Sequence, residues 1–201
     1  QDRAVLAAAG GELRFTATTA ADAIDVDGVE GRIAGGEQSN TSMLLGDRAV
    51  VKIYRRLEPG IHPEIEMGRF LTEAGFANSP ALLGALERVR ADEPPTALAV
   101  AHRFVMNQGD AWTFTLTYLR RLVDELIVVP DDEVDARDDI HKEYAAVAES
   151  IGRRVGEMHL ALAGRGDLPD FAPEPVRPDD LARWATAAAD DGLGVVKALR
   201  S

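Results

Sequence analysis

The hydrophobic period of the chain changes once, near residues 105–109, and that change limits the folds open to it. Before it, apolar residues come in short runs or alternate with polar ones; after it, they recur every three or four positions. The first spacing belongs to strands and the second to helices. Strands are expected over residues 13–18, 29–34, 43–45, 49–54, 81–89 and 97–105, separated by Gly, Asp, Asn and Pro signals. One helix interrupts them. Pro63 suits a first helical position, Glu64 and Glu66 suit the positive end of the macrodipole, and Gly75 closes it. The expected fold class is α+β: a mostly antiparallel sheet with one helix, followed by an all-helical part.

In that second part Asp110 can cap a helix running to Leu126, with Trp112, Leu116, Leu119, Val123 and Leu126 forming a core stripe. The acidic run 131–139 reads as a solvated loop. A second long helix carries Ile140, Tyr144, Val147, Ile151, Val155, Met158 and Leu162 on one face, with His159 structural. Four prolines between 169 and 178 resist regular structure, and a last helical piece is expected around residues 181–189.

Composition excludes several classes. Hydrophobic residues make up 46% of the chain, enough for a real core, while 34 acids against 22 Lys and Arg give a net charge of −12. Nucleic acid and anionic membranes need clustered positive charge, so neither is an expected partner. There is no cysteine, and the four histidines form no HxxxH or HxH pair to ligate zinc. No apolar run approaches the length of a membrane span, and the opening QDRAVLAAAGGEL lacks the ordered regions of a signal peptide. A cytoplasmic location is expected.

The run Ala49-Val50-Val51-Lys52-Ile53-Tyr54 places an ammonium inside a strand whose two faces are both largely apolar. Leaving it unpaired there costs several kcal/mol, so a carboxylate or a bound anion is required. Glu66, four residues before Phe70 on the intervening helix, is the expected carboxylate. The polar, glycine-led stretch at residues 36–42 is the expected anion site, since its glycines let consecutive N–H groups converge and its hydroxyls add donors. Strand, polar loop, strand, lysine strand and then a helix with an inward glutamate is the order in which kinase-type folds assemble a nucleotide phosphate site.

The segments GGEQSNTS, VVKIYRRLEPGIHPEIEMGRFLTEAGF, LLGALE and HRFVMNQGDAWTFTL closely resemble the maltokinases, which phosphorylate maltose at C1 with ATP, and DFAPEP fits as well. Their wider relatives are aminoglycoside phosphotransferases and other eukaryotic-like kinases. The resemblance implies a protein-kinase-like fold: residues 1–30 ending an N-terminal cap, residues 31–106 forming the nucleotide-binding N-lobe, and residues 107–201 starting an incomplete helical C-lobe. It implies that Ser39, Asn40, Thr41 and Ser42 form the phosphate loop, that Lys52 contacts the α- and β-phosphates, and that Glu66 holds Lys52. Phe104, Val105 and Met106 are the implied hinge that reads the adenine edge, with Val50 walling the ring. Residues 107–110 are open between a loop with a helix cap and a ligand contact, and Trp112 is read as core. The family's catalytic loop, resembling HGDxHxxQ, and its acidic magnesium motif do not occur before Ser201. Asp179 and Asp180 do not reproduce them, so no catalytic residue or metal ligand is expected within this chain.

What the resemblance implies is a parent protein that uses ATP and Mg²⁺ to make maltose 1-phosphate for α-glucan (glycogen) synthesis, with magnesium ligands downstream of Ser201. Alternatives are a glucosamine or aminoglycoside kinase, or a non-catalytic nucleotide-binding or interaction module, for instance one docking on trehalose synthase. The two long helices are expected to expose apolar faces through which copies could self-associate.

Overall fold

The computed structural model describes residues 3–8, 11–35, 40–128 and 141–200. Seven strands form one antiparallel sheet: β1 (Arg3–Ala8), β2 (Gly11–Ala17), β3 (Gly31–Ile33), β4 (Asn40–Leu45), β5 (Ala49–Tyr54), β6 (Leu82–Arg90) and β7 (Glu93–Arg103). Their order across the sheet is β1-β2-β6-β7-β5-β4-β3. A 3-10 turn at Thr19–Ala23 follows β2, and Thr18 beside it is buried, donating its hydroxyl to the Leu82 carbonyl. β5 spans the expected residues, whereas β1 was not anticipated, and β1 and β2 extend the same sheet. β7 begins earlier than expected, at Glu93, and runs through Pro94 and Pro95. Prolines are tolerated there because β5 pairs with β7 only from Ala99 onward, which leaves the preceding stretch with a partly open edge.

Helix α1 (Pro63–Glu73) lies on the sheet and buries Ile65, Phe70 and Leu71. Each such burial is worth roughly 2 kcal/mol relative to exposure. The helix is tied to β6 through Thr72, whose hydroxyl donates to the Gly68 carbonyl at 2.7 Å and accepts the Leu82 N–H at 2.8 Å. Its end is a Schellman turn: the Phe76 N–H reaches the Leu71 carbonyl, the Gly75 N–H reaches that of Thr72, and Gly75 adopts φ +70°. The core beneath gathers Tyr54, Ile65, Leu82, Ala85, Ala97 and Val100.

Two compact units divide the chain, Gln1–Leu162 and Ala163–Ser201. In the first, α2 (Ala111–Val128) and α3 (Lys142–Ala163) meet through aromatic rings. Tyr118 stacks on Tyr144 with centroids 4.4 Å apart, Tyr118 hydrogen-bonds the His141 ring, and Thr115 hydrogen-bonds the Tyr144 hydroxyl. The buried and half-buried residues of α2 are Thr115, Leu116, Tyr118, Leu122 and Leu126, so Leu116 and Leu126 of the expected stripe are at least partly covered. The expected core stripe is corrected: Trp112 is 72% exposed, and Leu119 and Val123 also face solvent. Both lines repeat at helical spacing, so periodicity alone could not choose between them. Val147, Ile151 and Val155 on α3 are likewise exposed. The acidic run 131–139 lies outside the described residues.

In the second unit α4 (Pro178–Arg200) is longer than expected. Asp180 accepts the Arg177 N–H and pairs with Arg183, a helix-capping role. Among the described residues no helix is long and apolar enough to cross a membrane.

Candidate nucleotide-binding site

Alternation along β5 puts Val50, Lys52 and Tyr54 on one face. Lys52 stands between Ser42 of β4 and Val100 of β7, and Val50 between Leu44 and His102. Ser42, Leu44, Val50, Lys52 and His102 floor a cavity of about 560 Å³, also lined by Glu64, Pro80, Arg103, Phe104, Val105 and Asn107. Its size is that of a small-molecule pocket.

Glu64, in the first turn of α1, reaches over this floor. Lys52 Nζ donates to Glu64 Oε2 at 2.8 Å, and the Tyr54 hydroxyl donates to the same oxygen at 2.7 Å. His102 Nε2 stands 3.3 Å from the other oxygen, Oε1. Burial alone would raise the Glu64 carboxyl. The hydrogen bonds from Lys52 and Tyr54, with the positive charge of Lys52 beside it, outweigh burial and hold it below its ordinary value. The Tyr54 phenol is pushed well up, first by burial and then by its bond to Glu64 and that residue's charge.

The partner of Lys52 is thus Glu64, which corrects the expected Glu66. The reason is angular: at roughly 100° per residue, Glu66 points about 200° away from Glu64 around the helix axis. Glu64 shares its face with Gly68 and Leu71, four and seven residues on, and Gly68 is where the helix approaches Leu82 and His102 closely. A glutamate followed by glycine at i+4 and a buried leucine at i+7 was the available signal. His102, which sequence reasoning left unassigned, sits opposite Val50 in a strand otherwise read for its apolar residues.

The expected phosphate loop is also corrected. Asn40, Thr41 and Ser42 belong to strand β4, opposite Tyr54, Ile53 and Lys52, so they form a ladder rather than a loop. Ser42 alone of these lines the cavity, and Ser39 lies outside the described residues. Of the expected hinge, Phe104 and Val105 line the cavity, while Met106 is 84% exposed and does not. The Phe104 N–H is taken by the Arg48 carbonyl, and the Val105 carbonyl accepts from the Asn107 side chain, so neither group is free of protein partners. Asp110 caps α2, accepting the Thr113 N–H and hydroxyl, and these bonds hold its carboxyl low. With Gln108, Gly109, Phe114 and Val147 it lines a separate cavity of about 460 Å³. Among the described residues no three His, Asp or Glu side chains converge on one point.

No protein-family model matches the chain. It is 28% identical over 154 residues to the glucosamine kinase of Mycolicibacterium smegmatis, an alignment that covers 77% of this chain and 34% of that enzyme. The chain therefore spans about a third of the length of that curated relative. Two solved structures share its fold, each with a TM-score of 0.52. One is a glucosamine kinase in its crystal form B, 24% identical, covering 89% of this chain and 38% of that one. The other is a glucosamine kinase in complex with glucosamine, ADP and inorganic phosphate, 23% identical, covering 87% and 36%. These likenesses are consistent with a kinase-like fold; the named relatives are glucosamine kinases, and they do not single out the maltokinases.

Proposed function

We propose that this chain supplies the nucleotide-binding part of an ATP-dependent sugar kinase. The observation that carries the reading is the Lys52–Glu64 ion pair in a cavity whose apolar lining is Leu44, Val50, Pro80, Phe104 and Val105. Phosphoryl transfer asks a protein for positioning and charge stabilisation more than for covalent chemistry. Lys52, fixed by Glu64, faces the phosphates; Leu44, Val50, Phe104 and Val105 enclose the base; the Ser42 hydroxyl borders the phosphate end. A solved glucosamine kinase of the same fold is a complex containing ADP, which supports nucleotide binding.

Magnesium is the expected companion of ATP, but the acids of this cavity do not suit it. Glu64 is committed to Lys52 and Tyr54, so no metal ligand is assigned here.

Two acceptors are proposed on different grounds. The named relatives favour glucosamine, and the motif GGEQSNTS with HRFVMNQGDAW favours maltose. Coupled ADP-release assays on the protein containing this chain, run with each sugar, decide between them. For the chain itself, calorimetric titration with ADP should show binding that Lys52→Met weakens tenfold or more, the loss of one charged hydrogen bond. Undiminished binding by the variant refutes the assignment.

A further inference from the structure

His102 is a titratable group that the reading above leaves without work. Its ring is largely buried, with a side-chain exposure of 20%, packed near Gly68 of α1 and opposite Leu82 of β6. Both ring nitrogens are shielded from solvent and have no hydrogen-bond partner. Nε2 is nevertheless only 3.3 Å from Glu64 Oε1. The two oxygens of one carboxylate thus divide their neighbours: Oε2 serves Lys52, with Tyr54, and Oε1 faces the imidazole. Histidine is the side chain that ordinarily changes charge in the neutral range, and once protonated both its nitrogens are donors.

We infer that His102 is a positioning residue for the nucleotide: protonated, it takes a share of Glu64 and leaves the Lys52 ammonium more available to a phosphate, so nucleotide affinity rises as pH falls. The inference rests on the nucleotide reading of the cavity. With His102 neutral, Lys52 and Glu64 cancel; with His102 charged, the trio is singly positive and attracts an anion. Glu64 of α1 faces the imidazole directly, Lys52 and Tyr54 of β5 are bound to that same carboxylate, β6 meets the ring with Leu82, and Arg103 of β7 lines the same cavity. Of these, Glu64 is ionised throughout the neutral range because its carboxyl is held low.

The test is ADP affinity of the 201-residue chain at pH 6 and pH 8, for the native protein and for His102→Gln, which can still donate to Glu64 but cannot become charged. The native protein should gain about fivefold more affinity on acidification than the variant, the scale of a modest coupling between sites. Titration of ADP itself is common to both and cancels. By reciprocity, ADP should also raise the midpoint at which the His102 imidazole titrates in NMR spectra of the native chain, a readout that needs no variant. Parallel pH curves, or an imidazole midpoint unmoved by bound ADP, overturn the inference alone. Absence of ADP binding at both pH values overturns the nucleotide reading and this inference with it.

Discussion

Replacing Glu64 by Gln keeps the shape of the side chain and removes its charge, while Glu66→Gln makes the same chemical change two residues away. Glu64 accepts two charge-assisted hydrogen bonds, from Lys52 at 2.8 Å and from Tyr54 at 2.7 Å. Bonds to charged groups contribute about 1.5–3 kcal/mol each. The Lys52 and Glu64 side chains are 34% and 30% exposed, so solvent screening reduces the ion-pair share toward the surface value. A neutral amide oxygen has two lone pairs and can still accept both bonds, without the charge assistance. The expected net loss for Glu64→Gln is about 2 kcal/mol. Glu66→Gln should stay within about 0.5 kcal/mol of the native protein. Urea unfolding followed by circular dichroism measures both, with the loss read from the midpoint at unchanged slope. The dependence on pH has a fixed sign. The folded-state value of Glu64 is depressed, so its contribution is fully present above the unfolded value of about 4.3 and fades as pH falls toward the folded value. The gap between native protein and Glu64→Gln should therefore be flat at neutral pH and narrow in acid. A Glu66→Gln loss equal to or larger than that of Glu64→Gln would refute the placement of the helix face.

Two further substitutions test the fold. Trp112→Ala should change stability by less than about 0.5 kcal/mol because the ring is 72% exposed; a core tryptophan would cost about 3–5 kcal/mol, and thermal unfolding separates these outcomes. Gly75→Ala should cost about 1–2 kcal/mol in denaturant unfolding, since φ is +70° there and open space around the Cβ position leaves backbone strain as the sole penalty.

Where local chemistry and tertiary packing agree, the sequence was readable. β5 alternates with β-branched residues between a turn and a polar break, and it lies where alternation put it. The end of α1 at Gly75 and the cap at Asp110 were legible because each uses a residue suited to one backbone geometry. The failures have one cause: the element packed or paired alongside decided the outcome. Asn40 to Ser42 read as a loop by composition, but the ladder offered by β5 satisfies their backbone groups. β1 is alanine-rich and becomes a strand through pairing with β2. On α2 the rings of Tyr118 and Tyr144 chose the packed face over the more hydrophobic stripe. Glu64 rather than Glu66 was fixed by where Gly68 lets the helix approach the sheet.

The charged end of the cavity is also a local product of the chain in a kinetic sense. Lys52 and Glu64 are 12 residues apart, whereas the Thr18 to Leu82 bond that secures the far side of the sheet closes a separation of 64. Scaling closure entropy as three-halves RT times the logarithm of 64/12 makes the shorter closure easier by about 1.5 kcal/mol. The β4–β5 hairpin and the first turn of α1 can therefore establish the lysine's environment early. The wall formed by Phe104 and Val105 must await long-range pairing, so contact order divides the two ends of one pocket into an early and a late part.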